Sequence, residues 1–169
     1  MTKHRIEQVL AVLLQHSDRG VVYAAVGGLM NLGGDKQTRP LLWQEDMQVG
    51  WLLTGVLRSA GLADLEMATL ACRALHNLLI EPQGGTMQIL GGEKACLRLS
   101  STLYELLGTA AELQQEETEE EAPGQCKAKH GAGAGSYGDI IVAGSALRDL
   151  IPSLEEDSNA LPGHVTTPG

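Results

Sequence analysis

Apolar residues recur at steps of three and four along most of the first 110 positions, and the longest such stripe appears twice. Val21 to Leu32 reads VVYAAVGGLMNL, and Met67 to Leu78 reads MATLACRALHNL. A shift of 46 residues, the separation of Asn31 from Asn77, lays Ala25 on Ala71, Leu29 on Leu75 and Leu32 on Leu78. Repetition at this period, in segments too short to bury their own apolar face, predicts helices stacked as a solenoid. In the second copy Ala68, Ala71, Leu75 and Leu78 form the stripe that faces a core. A different stripe carries Thr69, Arg73 and Asn77 at steps of four, matched by Tyr23, Gly27 and Asn31 in the first copy. Tyr23, Asn31, Thr69, Arg73 and Asn77 are therefore the candidate protein-binding groove.

Taken in order, Thr2 is placed to cap a helix with Ile6, Val9, Leu10, Leu13 and Leu14 on its apolar side, ending near His16. Ser17 to Gly20 makes a turn, and Val21 to Leu32 is the next helix, stopped by Gly33 and Gly34. Pro40 suits the first turn of a short helix that buries Leu41, Leu42 and Trp43. The second unit opens with Val49 to Leu57, which aligns with Ile6 to Leu14 once a three-residue insertion around Gly61, Leu62 and Ala63 is allowed. A strong helix from Asp64 to Ile80 completes it. A third unit begins with Met87 to Leu90 and Ala95 to Leu107, after which the repeat stops.

The expected organisation is thus all-α, with about two and a half helical repeats over residues 1–108. Residues 109–138 are expected to be a disordered linker or a frayed extension, acidic from Glu112 to Glu121 and then rich in Gly and Ala. Residues 139–152 form one more amphipathic helix, capped by Asp139, which is expected to dock back on the last unit. Residues 153–169 are expected to be a disordered tail.

Charge narrows the partners. The chain of 169 residues has a net charge of −9, but residues 1–110 hold nine basic against ten acidic residues and residues 111–169 hold three against eleven. The acidity belongs to the C-terminal part. Such a chain lacks the basic footprint for nucleic acid or an anionic membrane surface. No stretch approaches the roughly 18 to 20 apolar residues that span a bilayer. Cys72, Cys96 and Cys126 make an odd number with no close pairing, which suits a reducing, cytoplasmic compartment.

The segments IEQVLAVLLQHSD, the long helix ending Leu29-Met30-Asn31-Leu32 and the polar Asp35 to Arg39 before a short apolar stretch resemble the armadillo repeat over about residues 5 to 107. The resemblance implies an armadillo-type right-handed solenoid that binds proteins and is not an enzyme. Val21 to Leu42 and Leu65 to Leu79 are most similar to the C-terminal repeats of a family member of motile cilia and flagella. That similarity implies a factor in assembly or transport of axonemal radial spokes, located in the cytoplasm and in the cilium or flagellum. It also implies the last portion of a longer array, with the Ile6, Val9 and Leu13 face as a cut surface. The alternative is a general cytosolic or nuclear-transport scaffold.

Armadillo proteins of the import-receptor type place Trp four residues before the groove Asn, where this chain has Gly27 and Arg73. Arg73 would repel a basic import signal, whereas an acidic or polar segment suits Arg73, Asn77 and Asn31. Other candidate chemistry is weak. Cys72 and His76 lie four apart on one helix, but two ligands do not make a metal site, and core packing is the expected role of Cys72. Cys126 and His130 have no further ligands nearby in sequence. Gly133, Gly135 and Gly138 match a dinucleotide-binding spacing without the strand that its mechanism needs, so they read as linker. No grouping suited to catalysis falls on the expected rigid elements. Neither a cofactor nor a metal nor a small-molecule substrate is expected.

Overall fold

A computed structural model describes residues 6–44, 48–82, 85–120 and 136–151, with side chains given for all of these except 119 and 120. The described residues are all-helical and contain no strand. The helices are α1 (Ile6–Leu13), α2 (Arg19–Gly34), α3 (Val49–Ala60), α4 (Leu65–Leu79), α5 (Thr86–Leu90), α6 (Glu93–Glu120) and α7 (Tyr137–Arg148), with a 3₁₀ turn at Arg39–Trp43. Pro40 sits at the start of that turn, where its missing N–H costs nothing. Thr2 and most of the expected linker and tail lie outside the described residues.

The capping chemistry shows why α2, α4 and α7 start where they do. Asp18 accepts from the Val21 amide, Asp64 from the Met67 amide and Ser136 from the Asp139 amide, each satisfying a helix-start donor three residues on. The cap of α7 is Ser136, not Asp139. Asp139 stands at the third helical position and bonds back to Ser136, closing a reciprocal capping box.

Aligning the three caps exposes a third copy of the repeated helix. Ser136 follows Asp64 by 72 residues, where Asp64 follows Asp18 by 46. Ala25, Ala71 and Ala143 then coincide, as do Leu29, Leu75 and Leu147, and all six are buried. α2 packs on α4 and α4 on α7, so the copies lie in a row with α4 in the middle. α1 packs on α2, α3 on α4 and α6 on α7, covering the other side of the row. Among the described residues the arrangement is therefore three helical units, and α7 completes the third rather than capping a half unit.

The core between the two layers is aliphatic. Leu53 and Leu57 from α3, Leu75, Leu78 and Leu79 from α4, Leu99 and Leu103 from α6, and Ile140 and Leu147 from α7 are all at most 1% exposed. Small residues let backbones close in: a Cβ at Gly50 would lie 2.7 Å from the Ile89 carbonyl oxygen, which sets the approach of α3 to α5. On the outer side of α1, Ile6, Val9 and Val12 are exposed, and no described helix covers them.

The third-unit helix does not end at Leu107. α6 runs through most of the acidic stretch expected to be disordered, as far as Glu120. After Gly108 this sequence is Ala, Glu, Leu, Gln and Thr without Gly or Pro, mostly strong helix formers. Extending an existing helix needs no new nucleus. Its described side chains beyond Ala110 are exposed except the half-buried Leu113.

Candidate functional site

The row α2–α4–α7 turns one face outward, and the aligned caps show which residues occupy it. One rank across the three helices is Ala24, Leu70 and Val142; the next is Gly27, Arg73 and Ser145; the third is Asn31, Asn77 and Asp149. Val142 is 72% exposed, which gives the first rank an apolar patch at its α7 end. A Cβ on Gly27 would meet nothing within 4 Å, so the α2 side of the middle rank is open. Arg73 stands exposed at the centre and makes no ion pair with any described residue. Its charge is felt on α7, where it helps Ser136 hold the Asp139 carboxyl below its ordinary range.

Four of the five groove candidates fall along this face or its α2–α4 seam, in unequal roles. Asn31 and Arg73 are exposed. Asn77 is half-buried and donates from its side-chain amide to the Met30 carbonyl at 3.0 Å, tying the end of α4 to α2. Gly33 and Gly34 make room, since a Cβ on either would lie 3.4 Å from the Asn77 side chain. Asn77 thus satisfies a backbone group of the neighbouring unit. Tyr23 is also half-buried, and its hydroxyl donates to Glu66 at 3.0 Å. Thr69 departs from the expectation, being only 7% exposed. The outward stripe of α4 is instead Glu66, Leu70, Arg73 and Asn77, because Thr69 sits one step round the helix toward the core. Thr69 Oγ1 is the only buried side-chain oxygen or nitrogen of the described residues without a hydrogen-bond partner.

Polar clusters close both ends of the α2–α4 seam. At the start of the helices Arg19 donates to Asp64 at 2.5 and 2.8 Å and to Glu66 at 3.0 Å, with its guanidinium 5.5 Å from the Tyr23 ring centroid. Hydrogen bonding to Arg19 pulls the Asp64 carboxyl below its ordinary value, and bonding to Glu66 raises the Tyr23 hydroxyl. Asp64 and Glu66 raise Arg19 further into its charged range. At the far end Arg39, only 5% exposed, donates to the Gly33 carbonyl at 2.6 Å and the Ile80 carbonyl at 2.7 Å. One cation thereby satisfies acceptors at the C-terminal ends of both helices, where the helix dipole favours positive charge. Trp43 adds a bond from its indole N–H to the Leu78 carbonyl at 2.9 Å.

Sequence reasoning missed the Leu70–Val142 patch and Arg39. Arg39 reads in the sequence as the end of the polar segment Asp35 to Arg39, and nothing local marks an arginine that reaches carbonyls 6 and 41 residues away. Cys72 lies fully buried, and burial pushes its thiol up to about 12. No three His, Cys, Asp or Glu side chains of the described residues are grouped to hold a metal, and no described helix is long and apolar enough to cross a membrane. Cys126, His130, Gly133 and Gly135 lie outside the described residues. Compared with family models, with curated protein sequences and with solved structures, the chain matches none.

Proposed function

We propose that this chain is a non-enzymatic, armadillo-type scaffold whose α2–α4–α7 face takes an extended segment of a partner protein. The observation that carries the reading is Arg73: a cation without a described ion-pair partner, central in three repeated ranks of outward side chains. The ranks run across parallel copies of one helix, so equivalent positions recur along the path a peptide would follow. Asn31 supplies amide groups for a peptide backbone, Leu70 and Val142 an apolar contact, and Arg73 selects an acidic residue. Asp149 at the α7 end favours a basic residue there.

A photo-crosslinking side chain at Gly27 or Val142 tests this in cells. Capture of a discrete partner that is lost on Arg73→Glu is expected; equal capture from Leu97, on the other layer, would overturn the face. The resemblance to a ciliary member supplies the cellular setting, assembly or transport of axonemal radial spokes. A C-terminally tagged chain is then expected in the flagellum or at its base. Signal spread through the nucleus or through a non-ciliated cytosol would remove that setting and leave a general scaffold.

A further inference from the structure

The layer that covers the row carries a separate feature. Two neighbouring hollows of about 450 and 580 Å³ lie between α3 and α6 and meet at Arg58 and Arg98, which line both. No residue of α2, α4 or α7 lines either hollow. The Arg98 guanidinium lies 4.6 Å from the centroid of the Trp51 ring. A guanidinium held over an aromatic ring by cation–π attraction keeps N–H donors available to a further acceptor. Ser59, Ser101 and Thr102 add hydroxyls, and a Cβ on Gly55 would meet nothing, so the floor is open. Neither arginine has a carboxylate partner among the described residues. Glu105 is the one acid lining the hollows, and it accepts from Ser101 at 3.3 Å.

We propose that the α3–α6 cleft is a second docking site, for an acidic polypeptide segment of a partner protein. Charge complementarity carries the choice of occupant. Residues 1–110 are nearly neutral, and two exposed arginines against the single Glu105 leave this cleft locally positive. Arg98, held over Trp51, presents a preorganised fork for a carboxylate, with Arg58 available to a second one. Joined hollows suit a chain of several residues better than a single small anion. A nucleic-acid backbone, charged at every residue and long enough to run on past the cleft, would meet Glu112, Glu116 and Glu117 farther along α6, whereas a short segment with spaced carboxylates can end at the two arginines. The part of the acidic run that belongs to α6, as far as Glu120, cannot fold back onto the cleft. Glu112 lies 14 residues beyond Arg98 on one continuous helix, about 21 Å along its axis.

The test is fluorescence anisotropy of a labelled peptide alternating Glu with Gly and Ser, against a Lys counterpart, at about 0.05 M and about 0.5 M salt. Salt-sensitive binding of the acidic peptide alone is expected. Arg58→Ala with Arg98→Ala should weaken it about tenfold or more, since both are charge-assisted donors. Trp51→Leu should weaken it severalfold by releasing Arg98, while Lys36→Ala, at an exposed lysine that lines neither hollow, should leave it unchanged. Both arginines are exposed, so circular dichroism should confirm that the double variant is folded. Three outcomes would overturn the proposal. One is equal binding by the double variant. Another is complete competition by millimolar inorganic phosphate, which would make this a small-anion site. The third is self-association of the chain abolished by the two alanines, which would make the occupant the acidic extension of a second copy.

Discussion

The α2–α4 seam and the α4–α7 seam share one apolar register, with Ala25, Ala71 and Ala143 and then Leu29, Leu75 and Leu147 in equivalent places. They are closed differently. α2 and α4 are joined by Arg19 at one end and by Asn77 and Arg39 at the other. Between α4 and α7 the described polar link is only the longer-range influence of Arg73 on Asp139. α7 leans instead on apolar contacts, on its own capping box, and on a long 3.5 Å bond from Thr86 to the Leu150 carbonyl. A stripe of buried aliphatics positions a helix, and directional bonds at its ends lock it. The α4–α7 seam has the first, and no direct hydrogen bond or ion pair between α4 and α7 is described to supply the second, so α7 should be the part of the row that opens at lower free energy.

The largest effects should come from the shared leucine rank. Leu75→Ala removes a fully buried side chain from the middle helix and should cost about 3–5 kcal/mol. Because α4 touches both neighbours, the loss should appear as global unfolding. Leu147→Ala deletes the same chemistry from α7 and should release that helix first. Hydrogen exchange should then lose protection over Tyr137–Arg148 while α2 and α4 keep theirs. Equal loss in all three helices would break the comparison.

Arg39→Ala tests the locked seam from its other side. It leaves the Gly33 and Ile80 carbonyls without a donor in a place only 5% exposed to solvent. Two unsatisfied acceptors should cost about 2–3 kcal/mol in chemical denaturation. Arg39→Lys should recover only part of this, because an ammonium has no planar fork to reach two carbonyls at once. A change within about 0.5 kcal/mol would show that water replaces the guanidinium freely.

The same contrast accounts for what could be read in the sequence. Ala68, Ala71, Leu75 and Leu78 fall on one stripe of α4, and all are buried, because a helix facing a core must repeat at its own pitch. The repeat in α7 was hidden by spacing rather than by composition. Its Ala143, Leu147 and Leu150 have the right intervals, but they stand 72 residues after their counterparts instead of 46. A linker that diverts the chain leaves no periodic trace of where it returns. The site was less legible than the fold. Arg73 and Asn31 could be placed from helical phase alone, whereas Thr69 lies one step inside the face and Arg39 acts through tertiary geometry.

Ser136→Ala should produce a smaller effect confined to the weakly locked seam. It removes the hydroxyl that accepts from the Asp139 amide and should cost α7 about 1 kcal/mol. Asp18→Ala removes the corresponding cap of α2. Exchange should speed up in α7 for the first variant, while the end bonds of α2 hold that helix in the second. Matching increases would show that the Arg19, Asn77 and Arg39 contacts add no local protection.

Acid should loosen both seams slightly, and salt should tell them apart. Asp64 and Asp139 both have carboxyls held below the ordinary value of 3.8, so each stabilises the folded chain above that value. The contribution is lost as pH falls through 3.8 toward the lower folded values, where the folded form must take up a proton. The causes differ. Asp64 is held chiefly by the Arg19 guanidinium, half exposed to solvent. Asp139 is held chiefly by the Ser136 backbone N–H and then by its hydroxyl, both neutral donors. Ions screen a partly exposed charge pair and leave a neutral hydrogen bond nearly untouched. Titration of the two carboxyl carbons by NMR at low and high salt should therefore move the Asp64 midpoint upward with salt. The Asp139 midpoint should move less, by whatever part Arg73 contributes, and Arg73→Ala should remove that part. If Asp139 proves as salt-sensitive as Asp64, then α7 is tied to α4 by charge as firmly as α2 is, and the two seams are locked alike.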